Sequence, residues 1–279
     1  MAIDAIILAG ASNHGALRAV TDTPYEALID IEGRAMLDYV VDAVVGSRDI
    51  ERVVVVGPEK ALASLAGRVY RVAQCGDSMV ENILIGLEVL HSTGKVLLVT
   101  SDIPLLTTDA IGDFLRRCAE KEADIHYPVV AKQTNEASYP GVKRTYVHLV
   151  EGTFTGGNLA LLDPEVVRQC HVMIEKAVQM RKKPWQLSRL LGFRFIVKFL
   201  LSRLSVAEIE ERVRLMLGFR GVAIVSPYPE IGIDVDKPSD LELARNVLGA
   251  RRQTGQQANQ EADQEGHQEA AHQDGATEG

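Results

Sequence analysis

The chain alternates between unbroken apolar runs and stretches in which apolar residues recur every three or four positions. Ala5–Ala9 and Val96–Val99 are continuous runs, the pattern of strands buried on both faces of a parallel sheet, and Ile50–Val56, closed by Gly57-Pro58, reads as a further strand. Between them, Met36, Tyr39, Val40, Ala43 and Val44 share one helical face, and Val80, Ile83, Leu84, Leu87 and Leu90 share another. Shorter signals predict a helix over Leu62–Leu65, a strand over Val69–Val72, a helix over Ala110–Glu120 and a strand over Ile125–Val130. Strict alternation of strand and helix predicts an α/β fold: a three-layer, Rossmann-like arrangement with a mostly parallel sheet and right-handed crossovers.

From Glu136 to Gly157 the period shortens to two and is broken by Gly152 and Gly156-Gly157, which predicts an antiparallel excursion at the sheet edge, walling the carboxyl ends of the parallel strands. Pro164 opens a helix to about Met180, which Arg181-Lys182-Lys183-Pro184 breaks. A helical insertion over about 181–220 follows. In it, Trp185–Leu204 mixes apolar residues with Arg194, Lys198 and Arg203. This suits a packed helix with snorkelling cationic stems, or a membrane-surface contact by 193–204, and is too short and too charged to span a bilayer.

Ser205-Val206-Ala207-Glu208 is a capping box for a helix reaching Leu217. A strand over Val222–Val225 and a helix over Leu241–Leu248, with Asp240 read as its N-cap, complete the domain at 1–248. Beyond Gly249 the residues become Gln, Glu, Ala, Gly and Asp without apolar period, and 249–279 is expected to be disordered. His267 and His272 in that tail read as incidental.

Composition narrows the function. With 279 residues, 46% of them hydrophobic, the chain can bury one sizeable core. A net charge of −8 argues against a duplex nucleic-acid binder. Cys75, Cys118 and Cys170 are too scattered for a disulfide framework or zinc site and read as buried thiols. The first ten residues carry Asp4 and lack a basic region, so no signal peptide is read and a cytoplasmic location is expected.

Candidate chemistry lies at strand ends. Asp102 follows the Val96–Val99 run at Thr100-Ser101-Asp102, where open α/β sheets bind ligands. A carboxylate there can hold a divalent cation and, through it, phosphate; it can equally cap a turn. Gly10, Ala11 and Gly15 make a small-residue loop whose N–H groups can approach a phosphate or a base edge, or simply an ordinary strand-to-helix turn. Asp234 and Asp236 in GIDVDKPSD form a second acidic site, with Asp234 read as a turn former or a ligand and Asp236 as a ligand. One aspartate from each segment suffices for Mg2+.

LAGASNHGALR at Leu8–Arg18, EALIDIEGRAMLDYVVDAV at Glu26–Val44, TSDIPLL at Thr100–Leu106 and VDKPSDLELA at Val235–Ala244 together resemble the MobA-like nucleotidyltransferases. The resemblance spans roughly 3–250 in the expected order. It implies transfer of a nucleoside monophosphate from an NTP to a small phosphorylated acceptor, with release of pyrophosphate. By that resemblance Leu8, Ala9, Gly10 and Ala11 contact the nucleotide, with Gly76, Ser78, Asn82 and Ser101 lining its pocket. Asp102 and Asp236 hold Mg2+, and Gly157 and Asn158 face the acceptor. The chain departs from the family where a triphosphate-neutralising lysine is expected: Tyr25-Glu26 stands there. Arg18, Lys143, Arg144 and Lys237 are the cations that could take over its work; otherwise the protein binds nucleotide with weakened or lost turnover.

Overall fold

The first apolar run becomes the inner strand of the sheet. In the computed structural model, which describes residues 2–180 and 193–254, β1 (Ile3–Leu8) is followed by a small hairpin, β2 (Asp30–Ile31) and β3 (Arg34–Ala35), then α1 (Met36–Val45), β4 (Ile50–Gly57), β5 (Arg71–Gln74), α2 (Met79–Leu90) and β6 (Val96–Thr100). The second half holds α3 (Thr108–Ala119), β7 (Ile125–Ala131), α4 (Lys132–Ser138), β8 (Val147–Leu149), β9 (Gly152–Gly156), β10 (Leu159–Leu162) and α5 (Pro164–Met180). After the break come α6 (Phe193–Leu200), α7 (Val206–Leu217), β11 (Gly221–Ser226) and α8 over 238–254.

The sheet runs β5-β4-β1-β6-β10-β7, with β9 and then β8 beyond. Strands β5, β4, β1 and β6 are mutually parallel, whereas β10 is antiparallel to both of its neighbours. It pairs with the start of β7, and β9 pairs with the end of the same strand. Both therefore lie along one edge of β7, while β11 runs parallel along the other.

Period-two alternation in β1 sets the layers. Ala5 and Ile7 pack with α1 and α3 side chains such as Val40, Val44, Ile111 and Phe114. Ile6 and Leu8 face the other way, onto Ile83, Leu87, Leu90 and Val167 of α2 and α5. A smaller cluster, with Leu17, Ile29, Leu105, Ile233, Val235 and Leu241, sits beneath the loops at the carboxyl ends of the strands. It fixes the loops that carry the site.

Several expectations are corrected. β5 lies two residues later than the predicted 69–72, and 63–65 is one 3-10 turn. Residues 136–138 close α4 instead of opening the excursion, whose strands are β8 and β9. β10 had no expected counterpart. Asp240 lies inside the first turn of α8, with Pro238 as its first helical residue, the place where a missing N–H costs nothing. That helix runs to 254, past the expected boundary at 248, and Arg251 and Arg252 in it donate to the carbonyls of Leu105 and Glu32. Cys118 is buried, but Cys75 and Cys170 are only half-buried. The Ser205/Glu208 capping box forms as expected. The expectations for 185–192 and 255–279 lie outside the described residues, among which no helix is long and apolar enough to cross a membrane.

Candidate active site

Leu8 and Thr100 are register partners at the ends of β1 and β6, and the Ser101 N–H donates to the Leu8 carbonyl at 3.1 Å. The Gly10 loop and Asp102 therefore leave the sheet side by side. Gly10 is held close to the neighbouring loop: a Cβ there would stand 3.0 Å from the Cβ of Cys75 and 3.3 Å from Nδ2 of Asn82. Asn82 in turn accepts the Gly76 N–H at 2.8 Å, and Ser78 caps α2 through the Glu81 N–H. Of the expected nucleotide residues, Gly10, Gly76 and Asn82 are thus brought together next to the Ser78 cap, while Leu8, Ala9, Asn82 and Ser101 are themselves buried.

The loop from Gly10 to Glu26 is pinned by a residue that sequence reasoning missed. Buried Asn13 donates through Nδ2 to the carbonyls of Thr21 and Thr23, and its own N–H donates to the Pro24 carbonyl. The Glu26 N–H then closes onto the Ala11 carbonyl at 3.1 Å. Burial, and next the charge of Asp236, raise the pKa of Glu26. Its carboxyl thus belongs electrostatically to the acidic site. Arg18 turns elsewhere, pairing with Asp22 at 3.9 Å.

Three carboxylates converge at the carboxyl end of β6. The Val235 N–H donates to the Asp102 carbonyl at 2.9 Å, tying the Ile233–Asp236 segment to the strand end. Ile233 and Val235 are fully buried while Asp234 and Asp236 retain exposure. Alternation thus leaves both carboxylates toward the site, and one oxygen from each of Asp102, Asp234 and Asp236 lies within 4.8 Å of the others. Burial pushes the Asp102 pKa up to about 6 against a hydrogen bond donated by the Thr100 hydroxyl, and the charge of Asp234 adds to the rise. Asp236 is raised as well, by burial and by Asp234.

Asp234 is the member with a cation. Arg144, its side chain only 7% exposed, pairs with the Asp234 carboxylate and donates through Nη2 to the Asp234 carbonyl at 2.7 Å. Arg144 is committed to holding this loop. Lys237 lies on the rim, 3.8 Å from Asp240 and donating to the Lys143 carbonyl at 3.4 Å, and Lys143 itself is exposed. On the other side of β6, the Thr100 N–H donates to the Asn158 carbonyl at 3.1 Å. Gly157 is wedged so tightly that a Cβ would come 2.6 Å from Ile231 and 2.8 Å from Pro128. Gly157 and Asn158 are thereby brought beside the cluster. Three hard oxygen donors carrying one buried counter-charge fit a hard divalent cation.

Residues 5–182 match the family described as MobA-like NTP transferase domain. A hypothetical transferase structure from Thermus thermophilus is 39% identical, covers 86% of this chain and all of its own, and superimposes with a TM-score of 0.77. A CMP:2-keto-3-deoxy-manno-octonic acid synthetase complexed with CTP shares the fold at 14% identity, covering 90% of this chain and all of its own, with a TM-score of 0.56. The bifunctional protein GlmU of Lactobacillus helveticus is 33% identical over 103 residues, 35% of this chain. This chain spans only 22% of that protein's length. The match over most of the sheet, on a fold whose neighbours are nucleotidyltransferases, makes this chain a member of the MobA-like NTP transferase family.

Proposed function

We propose that the chain is a Mg2+-dependent nucleotidyltransferase that moves a nucleoside monophosphate from an NTP to a small phosphorylated acceptor. The observation that carries this reading is the meeting of Asp102 and Asp236, from segments far apart in sequence, beside the Gly10 loop. Asp102 and Asp236 would hold the metal, with Asp234, oriented by Arg144, as the third carboxylate. Bound there, Mg2+ would offset charge on the nucleotide phosphates. Leu8–Ala11, Gly76, Ser78, Asn82 and Ser101 take the nucleoside. Gly157 and Asn158 orient the acceptor, whose phosphate oxygen bonds to the α-phosphorus as the bond to the bridging oxygen of pyrophosphate breaks. Arg18, Lys143 and Lys237, whose side chains reach solvent, are the cations for the leaving charge, because Arg144 is buried and committed to Asp234.

Pyrophosphate release with ATP, GTP, CTP and UTP, each with Mg2+ and with EDTA, tests the proposal, with thermal shift in parallel. A Mg2+-dependent shift of several degrees with one NTP is expected, since binding to the native state alone stabilises it. No shift with any of the four would overturn it. Glu26 favours a second reading, a nucleotide-binding regulatory protein with weakened turnover. Asp102→Ala separates the two: a transferase loses its turnover, whereas a metal-independent binder keeps its affinity.

A further inference from the structure

The insertion after α5 presents an apolar surface that the fold does not use. Phe199, Leu200 and Leu201 are consecutive and exposed, Leu200 to 73% and Leu201 to 59%. A helix that packs one face on a core does not place three large apolar residues in water. Exposed Val150, on the β8–β9 turn, donates its N–H to the carbonyl of Leu204, three residues after the triplet, at 3.0 Å.

Along the sequence, the charge on either side of this triplet is opposite to that of the chain as a whole. From Lys176 to Ala207 the sequence contains eight Lys or Arg and no Asp or Glu, in a protein of net charge −8. Lys198 pairs with Glu208 outside that run. Exposed Arg203 follows the apolar triplet after one residue, Ser202. An exposed apolar triplet flanked by like cationic charge fits a surface with an apolar interior and an anionic face. That is the chemistry of the lipid–water boundary of an anionic membrane. A second copy of this chain would bring the same cationic run against itself.

The geometry points to peripheral docking of this protein on an anionic lipid surface, through Phe199, Leu200 and Leu201 inserted at the headgroup boundary and Arg203 beside them on the lipid phosphates. The α6–α7 connection lies flat on the bilayer, and the β8–β9 hairpin that leads to Gly157 and Asn158 sits next to it.

The test is vesicle flotation with the full chain. Vesicles of phosphatidylcholine alone are compared with vesicles containing roughly a third phosphatidylglycerol, at low and high salt. The protein is expected to float with the anionic vesicles at low salt, and to be released by high salt or by omitting phosphatidylglycerol. Leu200→Glu with Leu201→Glu should weaken flotation at least tenfold, and Arg203→Glu should weaken it less. Both variants should keep the Mg2+- and NTP-dependent thermal shift of the unaltered chain, which shows that they fold. A chain that stays in the soluble fraction with anionic vesicles overturns the proposal. So does flotation untouched by the leucine substitutions, or a concentration-dependent dimer that those substitutions abolish.

Discussion

Two carboxylates on neighbouring strands of the same sheet meet opposite fates. Asp4, at the amino end of β1, and Asp102, just past the carboxyl end of β6, both lie where burial penalises a charge. Around Asp4 the chain answers that penalty. Arg52 donates through Nε at 2.9 Å and Nη2 at 2.7 Å, a bidentate pair, and the Ser92 hydroxyl adds a third donor. These outweigh burial and leave the Asp4 pKa below its ordinary value. Around Asp102 there is one hydroxyl and two further carboxylates, and the pKa rises to about 6. The amino end of the sheet is electrostatically closed, whereas the carboxyl end is left acidic, which is what a site waiting for a cation requires.

The largest effect expected is on the open end. Asp102→Ala should cut metal-dependent turnover by about 10³, the rate equivalent of several kcal/mol of lost charge stabilisation. Measured against native thermal stability, the variant should unfold no earlier than the unaltered chain without Mg2+. A variant with full turnover would break the comparison at once. On the closed end, Arg52→Ala should do the reverse. Stranding Asp4 should cost about 2 kcal/mol, the low end of the range for a severed pair because Arg52 is partly exposed. Urea unfolding reads the loss, and the Mg2+-dependent thermal shift should persist.

The parallel half of the fold was legible because Ala5–Ala9 and Val96–Val99, the hearts of β1 and β6, are unbroken apolar runs of the kind that a doubly covered sheet accepts. By the same signal Leu159–Leu162 could have been read as a strand, but an apolar run carries no direction, and nothing in it tells that β10 lies antiparallel between β6 and β7. At the site, Asp102 and Asp236 could be named from sequence, as strand-end position and resemblance both pointed to them. The place of Asp234 was less visible. Its alternation with Ile233 and Val235 was a signal, since two buried neighbours turn both acids the same way, yet the buried Arg144 that pairs with it comes from the segment before β8. Asn13 had no signal at all: a buried amide stapling a loop is a property of the folded path, not of local pattern. Asp240 was misread because the residue before a helix was sought among acids, when Pro238 already marked the first turn.

Glu26 sharpens the contrast further, since it adds a fourth carboxyl to the open end. Glu26→Gln should tighten Mg2+–NTP binding about fivefold, from roughly 1 kcal/mol of relieved repulsion at partly exposed distances. Titration by calorimetry reads the change. Unchanged affinity would place Glu26 outside the field of the phosphates, and with it the second functional reading would lose its support.

The smallest effect separates the two ends by sign. Asp236 has its folded pKa raised above the unfolded value near 3.8, so the folded chain binds more protons than the unfolded one as pH climbs from about 4 to 6. Its ionisation therefore costs stability across that window, and the cost stays in full above it. Asp236→Asn removes it. The variant should match the unaltered chain near pH 4 and exceed it by about 1 kcal/mol at pH 7.5 without Mg2+, a figure held down by solvent screening at an exposed position. For Asp4 the folded pKa is lowered, so its contribution is present above the unfolded value and lost as pH falls through the folded one. Asp4→Asn should then be most damaging at neutral pH and least at the acid end. The two difference curves, read by thermal melting at a series of pH values, should slope in opposite directions. If Asp236→Asn destabilised at pH 7.5, the acidic end would already hold its charges in balance, and the case for a cation there would fall with it.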